Sequence, residues 1–178
     1  MARLFVLNDD LKWDDIDAEA RGAFQTKFGM PTKDTLTPGF LLYKFTDFTR
    51  PSADGTKLSP WWSPYDAYKQ DPGWEMRLRA ARSFGVSIRE WGRVTSAIKE
   101  NWNSCANLLV ISLNVDACAF FGGFASMIRL DPGAAGKALP GDKRGATRSL
   151  PGGATQFYLP NLTMAHIGRW YTESLVGQ

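Results

Sequence analysis

The sequence predicts an α+β fold, and the order of its hydrophobic patterns supports this class. Helical spacing dominates the first and middle thirds of the chain, whereas strand-like segments gather near residues 40–48, 107–115, 122–130, 154–159 and 164–172. The 178 residues fit one domain that can bury a substantial core. We therefore expect a single domain over residues 1–178, with a helical N-terminal part at 1–38 and a core at 40–172.

The N-terminal part begins with a possible short strand at residues 4–7 and continues with a helical pattern over residues 14–28. Acidic residues in its first turn and an apolar stripe are typical of an amphipathic helix, which Gly29 and Pro31 would end. Residues 31–38 then have the polar composition of a linker.

Residues 40–48 alternate as a strand with Leu42, Lys44 and Thr46 on one face. Lys44 is thus a cation among apolar residues. It either meets a ligand or packs its stem and carries its ammonium group to solvent. A turn-rich loop at residues 50–57 follows.

Residues 58–65 form a rigid Leu-Ser-Pro-Trp-Trp-Ser-Pro-Tyr run, since two prolines restrict the backbone. The adjacent Trp61 and Trp62 are expected to pack on the core, on a ligand ring or on a partner, and core packing is the commonest of these.

Two helices are predicted in the middle third. Residues 74–84 form an amphipathic helix whose three arginines, at positions 77, 79 and 82, suit a solvated face. Ser87 and Glu90 match a capping box that opens a second helix, with an apolar stripe reaching residues 98 and 102. Gly92 inside this helix indicates close packing.

The final third carries the strongest strand signals. Residues 107–115 predict a central strand, 120–130 a second one, and 164–175 a closing strand. Between them, residues 131–153 form a long Gly/Pro loop, which is usually functional or mobile in a compact domain. Its cations are Lys137, Lys143, Arg144 and Arg148.

Composition excludes several kinds of site. One histidine, His166, and two cysteines, Cys105 and Cys118, cannot build an ordinary Cys/His zinc site, so no metal is expected. Two cysteines also argue against a disulfide scaffold and favour a reducing compartment such as a cytoplasm. We expect neither a signal peptide nor a membrane partner, since no long apolar run occurs.

Catalytic motifs of several common classes are absent. His166 is the sole candidate imidazole base, and no Gly-x-Ser-x-Gly elbow or P-loop occurs. The remaining chemical signal is a Gly152-Gly153 pair before a short strand that places Gln156 and Tyr158 on one face. This arrangement suits a ligand-holding strand, or else a hairpin with a satisfied amide.

An ordered set of features resembles the ADP-ribosyltransferase superfamily over residues 40–172. It consists of Lys44 on an early strand, the Ser-Pro-Trp-Trp-Ser element, a strand ending near Phe121-Gly122, and Gly-Gly-x-x-Gln. The run from Leu150 to Phe157 is most similar to the NAD glycohydrolase toxins of the necrotizing-toxin type, where Pro-Gly-Gly leads to an active-site Gln. The resemblance implies split β-sheets with N-terminal and middle helices.

The resemblance also implies an NAD+-consuming toxin or effector domain without a metal. Such a domain cleaves the nicotinamide–ribose bond and passes ADP-ribose to water, as a glycohydrolase, or to a protein or RNA acceptor, as a transferase. Gln156 and Ser59 are then the expected catalytic residues. The expected NAD+-binding residues are Tyr43, Lys44, Trp61, Trp62, Ser63, Tyr65 and Gly153. A cognate immunity protein is an expected partner.

Three departures from the superfamily pattern shape the expected reaction. Lys44 stands where relatives usually have Arg, which loosens phosphate orientation. Gln156 has no charge, so it suits positioning of a ribose hydroxyl or water. Tyr158 stands where transferases usually have Glu, which favours hydrolysis. If Gln156 replaces a native Glu, that preference reverses. The alternative from another class is a nucleic-acid- or protein-binding module without enzymatic activity.

Overall fold

A computed structural model of the chain describes residues 5–137, 139 and 148–178, and these form an α+β structure. The helices are α1 (Ala18–Gly22), α2 (Trp74–Ser83) and α3 (Ile88–Thr95). The strands are β1 (Val6–Leu7), β2 (Phe24–Gln25), β3 (Thr32–Leu36), β4 (Leu41–Thr46), β5 (Trp61–Pro64), β6 (Asn107–Leu113), β7 (Asp116–Phe124), β8 (Met127–Ile128), β9 (Ser149–Leu150), β10 (Thr155–Tyr158) and β11 (Ile167–Ser174). Short 3-10 turns lie at Trp13–Asp15 and Met164–His166.

Nine of the described strands belong to one curled sheet, whose main path runs β1-β7-β10-β5-β4-β6-β11. β7 pairs with four other strands of this sheet. β1 and β10 pair along one of its edges, and β2 and β3 pair along the other. Only the β1–β7 pairing is parallel among the described strand pairs. β8 and β9 form a separate two-stranded ribbon.

The sheet buries apolar side chains on both faces where β4 and β6 pair. Leu42 and Ile111 belong to a core on one face, with Trp62 and Phe157, whereas Tyr43 on the other face packs in a second core under α2 and α3. Because side chains alternate along a strand, a strand buried on both faces has a continuous apolar sequence. This explains the unbroken hydrophobic run over β6.

Several predicted elements are confirmed. The helix expected at 74–84 is α2, and the strands expected at 40–48, 107–115, 154–159 and 164–175 contain β4, β6, β10 and β11. The Ser87 hydroxyl caps α3 by accepting from the Glu90 amide at 3.2 Å. Gly92 packs closely, since a Cβ there would lie 2.1 Å from Phe45 Cζ.

The predicted N-terminal organisation is wrong in two places. The helix expected over residues 14–28 ends at Gly22, and Phe24 instead joins β2 against β7. Phe24 fits there because Gly122 leaves room: a Cβ on Gly122 would lie 2.9 Å from its ring. The linker expected at 31–38 contains β3, whose polar residues suit its largely exposed position on the outer edge of β7.

Two predicted boundaries also need correction. α3 ends at Thr95, so residues 98 and 102 lie beyond it, and Ala97 has a left-handed φ of 49° that an α-helix cannot continue through. The rigid run at 58–65 contains β5. The strand expected from residue 120 to 130 begins at Asp116 and ends at Phe124. The start of the predicted 4–7 strand and the loop cations Lys143 and Arg144 lie outside the described residues.

The arginines of α2 do not all form a solvated face. Arg77 is buried and pairs with the buried Asp71 carboxylate, whereas Arg79 is 71% exposed and lies 3.8 Å from Glu75. Burial of one charge requires a close partner of opposite charge, and Asp71 supplies it from the loop before α2.

Candidate functional site

A cavity of about 410 Å³ opens between α1, the β4–β5–β10 part of the sheet and the segment that follows α3. It is lined by residues from parts of the chain that are up to about 140 positions apart, among them Glu19, Lys44, Ser59, Trp61, Gln156 and Tyr158. Its volume lies in the range of small-molecule sites. Lys44, Ser59 and Gln156, which the resemblance grouped, therefore line the same cavity.

The Gln156 side-chain amide forms a hydrogen bond through only one of its two polar groups within the described structure. The side chain is 1% exposed, and its Nε2 donates to the Ala23 carbonyl at 2.8 Å. Because a carbonyl accepts only from the NH2 side of an amide, this bond fixes the side-chain orientation. Among the described residues, Oε1 has no hydrogen-bond donor. The amide is therefore neither fully satisfied nor mobile, and its oxygen is left for another donor.

The strand that carries Gln156 is held by a buried polar cluster centred on Asp71. The Asp71 carboxylate accepts from Thr155, through both its amide and its hydroxyl, and from Arg77. The Ser63 hydroxyl donates to the Thr155 carbonyl at 2.9 Å. These bonds fix the residue immediately before Gln156. Sequence reasoning missed Asp71, which had no motif around it.

Lys44 contributes a partly desolvated cation. Its ammonium group lies 5.6 Å from the Trp62 ring centroid, and no described carboxylate is within ion-pair distance. Burial lowers the pKa of Lys44 from its ordinary 10.5 to about 8. The lysine is thus still mostly protonated at neutral pH, and an anionic ligand would restore the interactions that burial removes.

The predicted ligand-binding residues separate into two groups. Tyr43, Ser59, Trp61, Trp62 and Ser63 line the cavity, together with Lys44. Tyr65 instead packs on the core beneath α2 and α3, and Gly153 is not among the lining residues, although its φ of 112° requires glycine.

The rings that line the cavity are not equivalent. Trp62 is 1% exposed and its indole Nε1 donates to the Ser59 carbonyl at 2.7 Å, so it is largely a core residue. Trp61 is only half-buried and lies 4.8 Å from the Tyr158 ring, centroid to centroid. Tyr43 is also core, and burial raises its pKa to about 12, so it stays a neutral phenol. Trp61 and Tyr158 are the aromatic faces best placed for a ligand.

Two carboxylates at the cavity were missed by sequence reasoning. Asp17 and Glu19 begin α1, and Asp17 caps it by accepting from the Ala20 amide at 2.7 Å. Burial, and then the field of Asp17, raise the pKa of Tyr158. The acids were hidden because they were read as the first turn of a longer helix. The cavity thus has carboxylates on its α1 side and a lysine on its β4 side.

Other candidate groups lie elsewhere. His166 stacks with Phe5 and its Nδ1 contacts Thr163, so the sole imidazole is not in the cavity lining. Cys105 and Cys118 are both buried, and neither takes part in a disulfide. In the part of the chain that the structure describes, no group of three His, Cys, Asp or Glu side chains could hold a metal ion. No helix among those residues is long and apolar enough to cross a membrane.

Comparison with known proteins gives no relative from which a role could be transferred. No protein-family model, no curated protein and no solved structure matches the chain. The function must therefore be argued from the cavity itself.

Proposed function

We propose that this chain is an NAD+-consuming enzyme domain that cleaves the nicotinamide–ribose bond and passes ADP-ribose to water or to a macromolecular acceptor. One observation carries the proposal. One cavity is lined by the Gln156 oxygen and the Lys44 ammonium group, neither of which has a hydrogen-bond or ion-pair partner among the described residues, and by the half-buried Trp61 ring. This supports a ligand with a hydroxyl-bearing sugar, an anionic group and an aromatic ring.

The charge distribution supports a ligand that carries both signs. Asp17 and Glu19 lie on the α1 side, with the Trp61 and Tyr158 rings nearby, and this combination favours an aromatic cation. Lys44 on the opposite side favours an anion. NAD+ has this distribution, since its nicotinamide ring is cationic and its diphosphate is anionic.

The residues can assist bond cleavage without an acid or base on the leaving group. The C1′–N bond breaks, its electron pair leaves with nicotinamide as a neutral ring, and an oxocarbenium-like sugar remains. Water adds at C1′ and loses one proton to solvent. The Gln156 oxygen would accept from a ribose hydroxyl or from the water, and the negative field of the α1 carboxylates would stabilise the sugar cation.

The finer fold assignment and the biological setting belong to the same proposal. We propose that the curled sheet corresponds to ADP-ribosyltransferase-like split sheets, with β4, β5, β6 and β11 in one part and β7 and β10 in the other. Support comes from the order of the strands and from the position of the cavity beside β4, β5 and β10. A toxin or effector role and an immunity partner follow from the same resemblance, whereas action in a reducing cytoplasm follows from the presence of only two cysteines.

Nicotinamide release from NAD+ tests the proposal. We expect Gln156→Ala to lower turnover by at least roughly 100-fold, the usual effect of losing one group that stabilises a transition state. Gln70→Ala, at an exposed turn outside the cavity, is the matched control and should retain full activity. Urea denaturation of both variants separates lost chemistry from lost folding. No release by wild type at high enzyme concentration, or equal release by folded Gln156→Ala, would remove the proposal.

Asp17→Asn tests the part assigned to the α1 carboxylates. Asparagine also caps helices well, so folding should be unchanged. The removed charge is exposed and worth about 1 kcal/mol, which predicts a fall in turnover of roughly fivefold to tenfold. Unchanged turnover would show that α1 has only a structural role. It would not contradict the role proposed for Gln156.

The acceptor is decided by the product of the same assay. Free ADP-ribose equal to the nicotinamide released indicates hydrolysis, whereas ADP-ribose attached to added protein or RNA indicates transfer.

The remaining alternative is a binding module without activity. It is weakened by the burial of Arg77, which removes one cation from the expected basic face. Salt-dependent RNA binding without NAD+ turnover would favour it.

A further inference from the structure

A second cavity, of about 340 Å³, continues from the first one along β4 and the loop after it. Five residues line both cavities: Lys44, Phe45, Ser59, Trp102 and Asn103. The two cavities therefore adjoin, and one ligand that contacts these shared residues could contact both. The volume of the first cavity, 410 Å³, is at the lower end of the range for ligand sites. A dinucleotide would therefore also occupy the volume of the second cavity.

The charged groups of the second cavity favour an anion. Three lysines line it, Lys44, Lys57 and Lys137, against one carboxylate, Asp47. The Asp47 carboxylate is already engaged: one oxygen accepts from the Ser104 amide at 2.7 Å, and the other lies 3.5 Å from Lys137 Nζ. The lining therefore has more positive charge than its own carboxylate can compensate.

The neutral polar groups also point to an acceptor-rich ligand. The Asn103 side-chain oxygen accepts from the Cys105 amide at 2.8 Å, which leaves the Asn103 NH2 group as a donor. The Ser59 oxygen accepts from the Trp61 amide at 3.3 Å, so its hydroxyl hydrogen is also available. Ammonium, amide and hydroxyl donors in one cavity are suited to phosphate oxygens.

Trp102 adds a flat apolar surface at the junction of the cavities. Its side chain is 48% exposed, although indole exposure is costly. Lys99 Nζ lies 5.0 Å from the ring centroid, and Lys137 Nζ donates to the Trp102 carbonyl at 3.0 Å. A half-exposed indole with one lysine over its ring and another at its backbone carbonyl is a stacking surface for a base that carries phosphates, since base–aromatic stacking tolerates any base.

We infer that the second cavity binds the nucleoside diphosphate half of the ligand, with the diphosphate at Lys44, Lys57 and Lys137 and the base on Trp102. This inference depends on the proposed function in one respect: the identity of the group that is bound in the first cavity. It places the nicotinamide ribose near Gln156 and the adenine base beside Trp102. It makes the protein selective for a dinucleotide over nicotinamide mononucleotide.

Calorimetric titration with ADP tests the site without requiring catalysis. Wild type should bind ADP, and Lys57→Ala/Lys137→Ala should bind it at least roughly tenfold more weakly, because charge-assisted hydrogen bonds are lost. Lys27→Ala/Arg79→Ala removes the same charge from exposed positions outside both cavities and should bind as wild type does. Adenosine should bind wild type and the double lysine variant with equal, weaker affinity.

The two proposals fail separately. ADP binding that depends on both lysines, without nicotinamide release, would support the site and refute the enzymatic function. Nicotinamide release with no detectable ADP binding, or with ADP affinity equal in the two double variants, would refute the site alone. In an active enzyme the lysine changes should raise KM for NAD+ at least roughly tenfold and leave cleavage of nicotinamide riboside, which has no phosphate, unchanged.

Discussion

Replacing Lys44 with methionine should make the protein more stable at pH 7. Burial lowers the pKa of Lys44 from 10.5 to about 8, which corresponds to roughly 3 kcal/mol of unfavourable free energy while the lysine is charged. Methionine keeps the length of the side chain and removes the charge. It also loses the contact of the cation with Trp62, worth about 1 kcal/mol. We therefore expect a net gain of roughly 2 kcal/mol in the free energy of unfolding.

The gain should disappear as the pH rises. Between about pH 8 and 10.5 the unfolded chain still holds the Lys44 proton and the folded chain has lost it, so wild-type stability rises with pH. Lys44→Met lacks this rise, so the two proteins should converge near pH 10. Urea denaturation at intervals from pH 7 to 10 measures this, with Lys33→Met on the exposed part of β3 as the control. A destabilised Lys44→Met at pH 7, or a gain independent of pH, would refute the reasoning.

Two further substitutions test the packing that supports the cavity. Gly92→Ala should cost about 1–3 kcal/mol of stability, because its Cβ would overlap the Phe45 ring, whereas Gly22→Ala meets no atom within 4 Å and should be neutral or stabilising. Asp71→Ala should cost about 3–5 kcal/mol by leaving a buried arginine unpaired, whereas Glu75→Ala breaks only an exposed ion pair and should cost less than about 0.5 kcal/mol. Urea denaturation measures each pair, and equal losses within a pair would contradict the assigned contacts.

The sequence predicted elements whose local signals agree with their surroundings. β6 and β10 were recognised because apolar and aromatic runs of that length suit buried strands, and α3 because Ser87 gives a local capping signal. Of the N-terminal strands, β1 lies within the strand predicted at residues 4–7, whereas β2 and β3 were not predicted. β2 and β3 form strands because they pair with an edge of β7, about 90 residues later in the chain. No local sequence pattern indicates that pairing.

The candidate site was predictable only where a motif lay in one stretch. Gln156 and Lys44 each belong to a strand with a clear alternation, so the direction of both side chains could be inferred. Asp17 and Trp102 reach the cavity through backbone turns at the ends of short helices or beyond them. Asp71 supports the site from a loop with no distinctive composition, through contacts with a residue 84 positions away.

The dependence of the sheet on β7 has a consequence for how the chain acquires its structure. β3 precedes its partner by about 80 residues, and β1 precedes it by about 110, so neither can pair until most of the chain has been synthesised. Pairings so distant in sequence carry a large loop-closure cost, and folding on a millisecond-to-second timescale is typical of such topologies. A ribosome-bound fragment that stops before residue 116 would contain β1, β2 and β3 but not β7, the strand with which they pair. The domain should therefore depend on late, nearly simultaneous assembly, and on chaperones that shield those early strands during translation.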